Sequence, residues 1–191
     1  MKAFAALLER LVFTNGRNAK MQILHHYLRD TPDPDRGWAL AAITGQLELR
    51  NIGPALLRRM ISDRVDSELF DISYHFVGDL AETIALLWPE PAGQRDISLS
   101  DAVAVLQSSG RNGQEIAALL DQLDKDSRLA FLKLGTGNLR LGLSARLART
   151  VLAQMGEPSL PEIEEIWHAL APPYLDLFAW LAGGNAPTPD H

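Results

Sequence analysis

Cysteine is missing altogether from these 191 residues, which excludes disulfides and thiolate metal ligands and fits a reducing compartment. A cytoplasmic location is the corresponding expectation. Long hydrophobic runs are missing as well. The stretch Met1 to Phe13 is largely apolar, but Glu9 and Arg10 interrupt it, so it is neither a signal-peptide core nor a membrane span. An overall basic excess, the usual mark of a nucleic-acid-binding domain, is also lacking: the net charge is −6.

The distribution of charge says more than its sum. Met1 to Ser62 carries nine Lys and Arg against five Asp and Glu, and Leu129 to Thr150 carries four against none. Asp63 to Arg128 holds five against thirteen, and Val151 to His191 none against six. Two positive stretches therefore alternate with two negative ones, and a local field can attract an anion whatever the total.

Apolar spacing is helical nearly throughout. Phe4, Leu7, Leu8 and Leu11 form one stripe, and Met21, Leu24, Tyr27 and Leu28 the next. Period-two alternation is absent. Starts are marked by Asp33 before Pro34, Gly53 before Pro54, Ser67 before Glu68, Ser98 with Asp101 three residues later, and a capping box from Ser159 to Glu162. Stops are marked by Trp88-Pro89 and by Gly156 with Pro158.

Helices are predicted near 2–13, 17–29, 34–45, 54–63, 67–76, 79–88, 99–108, 112–123, 125–134, 145–155, 160–170 and 173–182. The predicted fold is all-α, an irregular array of about a dozen short helices in one domain over 1–182. A chain of this length can bury roughly 70% of its unfolded surface. No repeat period or sustained heptad runs through it. Residues 183–191 are linker-like in composition and are expected to lead toward a catalytic core outside this chain.

The most informative segment runs Lys133-Leu-Gly-Thr-Gly-Asn-Leu-Arg-Leu-Gly-Leu-Ser144, between two predicted helices. Its three glycines interrupt the helical pattern and let backbone N–H groups approach a phosphate without a Cβ in the way. Ser144 is placed to cap the following helix, whose N-terminal end also favours an anion. Lys133, Arg140, Arg146 and Arg149 add positive charge, with no acid in the same stretch. A phosphate-backbone grip has this make-up, and so does an ordinary capped loop beside solvated arginines. The glycine spacing matches neither a P-loop nor a dinucleotide fingerprint, and no strand precedes it.

Thr136-Gly-Asn-Leu-Arg-Leu-Gly-Leu-Ser144 resembles the signature loop of the N-terminal DNA-binding domain of ATP-dependent DNA ligases. Val77-Gly-Asp-Leu-Ala-Glu82 resembles that domain's Gly-Asp-(Leu/Val)-(Gly/Ala) motif. Thr14-Asn-Gly-Arg-Asn-Ala-Lys20 resembles its early segment, whose basic residues begin the second helix. Pro172-Pro-Tyr-Leu-Asp-Leu-Phe-Ala-Trp180 is similar to the stretch leading to the nucleotidyltransferase domain, particularly in bacterial members.

The resemblance implies minor-groove and phosphate contacts from Gly137, Arg140, Gly142 and Ser144, with Arg17 and Lys20 as further backbone contacts. Lys133, Thr136, Asn138 and Arg146 belong to the same candidate set through the loop, although Asn138 stands where the family often has a basic residue. Arg58 is a further candidate, on a helix whose apolar face is Leu56, Leu57, Met60 and Ile61; with Arg59 it could equally be a solvated face. Ala81 stands where some relatives have glycine, and Val77 to Glu82 is read as a structural helix start with Asp79 at the positive dipole end. His25 and His26 are adjacent and cannot share a metal as an i, i+4 pair would. The acidic residues follow capping and solvated-face patterns, including Asp121, Asp124 and Asp126.

Enzymes of this family form a lysyl-AMP at Lys-x-Asp-Gly. The lysines here are only Lys2, Lys20, Lys125 and Lys133, and none begins that pattern. The resemblance therefore implies a fragment that binds nicked duplex DNA without sequence specificity and has no catalytic residues. No metal or cofactor is expected in this fragment; ATP and Mg would belong to the catalytic core. The expected partners are double-stranded or nicked DNA and the ligase's own adenylation and OB-fold domains, with no membrane partner and a monomeric state. DNA joining in repair, replication or recombination would be the process served. The alternative is a helical protein-protein interaction module that presents its acidic segments.

Overall fold

The computed structural model describes residues 1–49, 52–90, 93–108, 113–137 and 139–188. Among them are twelve α-helices, one short 3₁₀ turn and no strand. The helices are α1 (Lys2–Phe13), α2 (Arg17–Asp30), α3 (Asp35–Thr44), α4 (Pro54–Ser62), α5 (Ser67–Val77), α6 (Leu80–Leu87), α7 (Leu99–Ser108), α8 (Gly113–Leu120), α9 (Lys125–Thr136), α10 (Ala145–Gln154), α11 (Leu160–Ile166) and α12 (Leu175–Leu181). The 3₁₀ turn, Trp167–Ala169, extends α11. None is long and apolar enough to cross a membrane.

The predicted caps mostly work as hydrogen bonds. Ser98 Oγ accepts from the Asp101 N–H at 3.0 Å, and Asp124 accepts from the Ser127 N–H at 2.8 Å. Ser159 and Glu162 close a reciprocal capping box. Two starts differ in detail from the sequence expectation. The cap of α5 is Asp66, whose carboxylate accepts from the Leu69 N–H, and Ser67 is the first helical residue. Asp33 does not cap α3; its carboxylate receives both Nε and Nη2 of Arg36, at 2.7 and 3.0 Å.

The chain divides into two compact units, residues 1–6 with 48–139 and residues 7–47 with 140–191. In the first, α6 packs along α9 and against α5, while α4 meets α8. Its core includes Leu57, Ile61, Ile84, Leu106, Leu120 and Phe131, each almost wholly removed from water. Burying a side chain of this size stabilises by about 1.5–3 kcal/mol.

The same unit buries a charge. Arg128, on the apolar side of α9, is 0% exposed. Its Nη1 donates to the carbonyls of Ala85 and Trp88, at 2.9 and 3.3 Å, and its Nη2 to that of Leu123 at 3.0 Å. These are carbonyls near the C-termini of α6 and α8, where helical carbonyls have no partner of their own. Burial opposes the guanidinium charge, and the nearby carboxylates of Glu90, Asp124 and Asp121 favour it.

Asp121 closes a neighbouring cluster in which it accepts from Arg64 Nε and Nη2, at 3.1 and 3.0 Å, and from the Trp88 indole at 2.9 Å. The Arg64 guanidinium lies 4.5 Å above the Trp88 ring. The hydrogen bond from Arg64, and after it the one from Trp88, hold the Asp121 carboxyl below its ordinary pKa. A depressed folded-state pKa contributes stability above the unfolded value, about 3.9, and loses it as the pH falls through the folded value. Asp121→Asn is therefore expected to lower the melting temperature at pH 7. The gap from wild type should close as the pH falls below about 4, and parallel Tm curves across that range would refute the assignment.

In the second unit α10 packs against α2, α3 and α11. Its core includes Leu11, Leu24, Leu28, Leu40, Val151, Leu152, Ile163 and Phe178. Arg36 lies 4.1 Å above the Phe178 ring, tying α3 to α12. Residues 183–188 continue from α12 without regular structure.

Candidate functional site

The loop that follows α9 is built by its glycines, each in a different way. Gly135 lies inside α9, which runs on to Thr136 instead of stopping near 134. It is buried, and an added Cβ there would come 2.6 Å from Ile52 Cδ1. Its carbonyl accepts from the Ile52 N–H at 2.8 Å. Gly135 is thus a packing residue. Gly137, at φ 72°, is the left-handed cap that ends α9, and its N–H donates back to the carbonyls of Lys133 and Leu134. Gly142, at φ 64°, makes the second reversal, which side chains with a Cβ rarely adopt.

Leu141 and Leu143 flank Gly142 and are 7% and 8% exposed, so the loop buries a side chain on either side of the glycine. Ser144 then caps α10, its Oγ accepting from the Leu147 N–H at 3.2 Å. α2 begins differently: its N-cap is Gly16, which has no side chain to accept from the first-turn N–H groups.

These elements bring the two basic stretches together. Lys20 Nζ, on α2, donates to the Leu141 carbonyl at 2.6 Å across 121 residues of sequence. One turn earlier on the same helix, Arg17 lines a cleft of about 480 Å³ with Ser144, Arg146 and Thr150, over a floor of Met21, Leu147 and Leu160. Arg17, Arg140 and Arg146 are exposed, and none forms an ion pair with a described residue. The cleft is therefore lined by an arginine from each stretch, by apolar side chains, and by residues at the start of α10. The exposed guanidinium groups of Arg17, Arg140 and Arg146 are of a kind that suits an anion.

Other candidates are placed elsewhere. Lys133, in the first unit, lies 3.3 Å from Asp79 and 3.4 Å from Glu82, so its charge is shared with acids that the local sequence lacks. Thr136 donates to the Leu132 carbonyl on its own helix at 2.8 Å. Arg58 is exposed, with its guanidinium 5.2 Å from the Tyr74 ring and 5.8 Å from Phe70. Arg149 turns toward Glu164, at 3.7 Å, and lies 5.6 Å from the Trp167 ring. Asn138 lies outside the described residues.

The Val77 to Glu82 motif is a helix boundary. Gly78 ends α5 in the left-handed conformation. Asp79 caps α6 through Oδ1, which accepts from the Glu82 N–H at 2.8 Å, and meets Lys133 through Oδ2. Sequence reasoning missed Thr150 and the apolar base of Met21, Leu147 and Leu160. Thr150 stands four residues after Arg146, the helical spacing that places both on one face.

The family model described as DNA ligase N terminus matches residues 1–153, most of the chain, including α2, the loop after α9 and nearly all of α10. The chain belongs to the DNA ligase N-terminal domain family. No curated protein matches it. The match to the ligase domain includes Arg17, Lys20, Arg140 and Arg146 but stops before α11, so Leu160, which closes the cleft, lies beyond the matched residues.

Proposed function

We propose that this ligase domain grips duplex DNA, nicked or intact, through its phosphate backbone and minor groove, without reading sequence. It would hold a nick for the adenylation and OB-fold domains of an ATP-dependent ligase, where ATP and Mg would be bound. The observation that carries this reading is the meeting of Arg17 and Lys20, on α2, with Leu141, Ser144 and Arg146, around the start of α10. Guanidinium groups without a carboxylate partner keep their full charge for phosphate oxygens, and a helix N-terminus adds its dipole in the same sense. Readout that separates all four base pairs uses the major groove, whereas phosphate and minor-groove contacts carry little sequence information.

A grip of three or four cationic contacts gives a log K against log salt slope of roughly −3 to −4. Fluorescence anisotropy with two unrelated duplexes at several salt concentrations measures it. Equal affinities and a slope in that range are expected; a flat salt response, or strong preference for one duplex, would overturn the proposal.

A second reading has its own observation. On α5, Leu69, Ile72 and Phe76 are 49%, 52% and 81% exposed and recur at helical spacing, with Glu68 and Asp71 on the same helix. An interaction module would use such a stripe, and it predicts no duplex binding even at low salt.

A further inference from the structure

The two basic side chains of α2 that reach this region are not equivalent. Arg17 is exposed at the cleft rim, whereas Lys20 is partly buried, with its ammonium already used on the loop. The 2.6 Å bond from Nζ to the Leu141 carbonyl is a short, charge-assisted one to a backbone group that follows Arg140 directly. Gly142 comes next, and a Cβ there would stand 2.5 Å from the Lys20 ammonium, so the lysine occupies the space that the glycine leaves open. On either side of the glycine, Leu141 and Leu143 are buried. The loop backbone is thus fixed by two apolar plugs and one ammonium.

We propose that Lys20 is a positioning residue: it clamps the Leu141 carbonyl and so sets how Arg140 and the first turn of α10 are presented, instead of meeting a phosphate itself. The presentation role rests on the duplex-binding reading, but the clamp does not. A lysine lost from a phosphate contact lowers the salt slope by about 0.9. A lysine lost from a clamp loosens the loop in the free protein and weakens binding through its neighbours.

The first test needs no variant. In the DNA-free chain, amine-selective acylation is expected to label Lys20 at least tenfold more slowly than Lys2 and Lys125; equal rates would overturn the proposal. The second is backbone 15N relaxation of Lys20→Met, which keeps the aliphatic stem. Order parameters at Arg140, Gly142 and Leu143 should fall clearly below their wild-type values while the core of α9 is unchanged. Gly142→Ala crowds the ammonium and also strains a left-handed backbone, so it should loosen the loop at least as much, and adding Lys20→Met to it should loosen the loop little further, because the clamp is already lost.

For duplex binding, Lys20→Met is expected to lose severalfold in affinity with a slope change well under 0.9. Unchanged loop order parameters together with a slope reduced by about 0.9 would make Lys20 a phosphate ligand and end the proposal. Absent duplex binding by the wild-type chain, with the acylation and relaxation results as expected, would overturn the presentation role and leave the clamp standing.

Discussion

Replacing Arg140 with glutamate is expected to weaken duplex binding by well over tenfold while leaving the helical circular dichroism unchanged. The guanidinium is exposed, has no carboxylate partner among the described residues, and projects from a backbone anchored on one side by the Lys20 bond and the buried Leu141. Removing such a contact costs on the order of 1.5–3 kcal/mol for a hydrogen bond to a charged group, and each 1.4 kcal/mol is a factor of ten. Glutamate adds repulsion of the phosphates to that loss. Folding should tolerate the change because nothing in the core depends on the side chain. Arg140→Ala gives a milder version in which the salt slope drops by about 0.9. An affinity for Arg140→Glu equal to that of the wild type at low salt would remove the loop from the proposed interface.

Lys133 provides the internal control. It carries the same charge and lies only seven positions earlier, yet it is bound to Asp79 and Glu82. Reversing its charge would first disturb the junction of α6 with α9, so its effect is expected mainly in stability. This contrast was not legible in the sequence. Between Leu129 and Thr150 there is no acid, so Lys133 and Arg149 look as available as Arg140. Their partners come from elsewhere in the chain, Asp79 from 54 residues before and Glu164 from beyond the stretch. Charge counted along the sequence locates the basic stretches; it does not say which members the fold neutralises.

Helix placement was more accessible because its signals are local. An N-cap is decided within four residues, and Ser98, Asp124, Ser144 and Ser159 all make the bonds that their spacing suggests. Where two cap-forming residues stand together, the same rule cannot choose between them. Asp66 and Ser67 are both good caps, and it is the bond from the Leu69 N–H to Asp66 that separates them. Gly135 shows the opposite limit. In sequence it joins Gly137 and Gly142 as one glycine-rich loop, but its reason for being glycine is the side chain of Ile52, packed against it from 83 residues away.

Arg128 is the residue whose role departs furthest from its sequence context, and it carries the largest stability prediction. It lies in the acidic stretch and reads as one more surface charge, although its spacing from Phe131 and Leu132 places it on the apolar side of α9. Arg128→Ala is expected to cost about 3–5 kcal/mol, because the carbonyls of Ala85, Trp88 and Leu123 lose their donor while remaining buried. For a chain of this length that corresponds to a melting temperature lower by roughly 10 °C. Arg128→Met separates the causes, since it refills much of the volume but restores no donor. If the lost hydrogen bonds dominate, the methionine variant stays within about 1 kcal/mol of the alanine one. If the cavity dominates, it recovers most of the loss. Arg128→Lys should recover only part, because one ammonium cannot reproduce the planar fork that reaches three diverging carbonyls. Thermal melts at pH 7 decide among these, and a wild-type-like melting temperature for Arg128→Met would show that the buried guanidinium does not hold α6, α8 and α9 together.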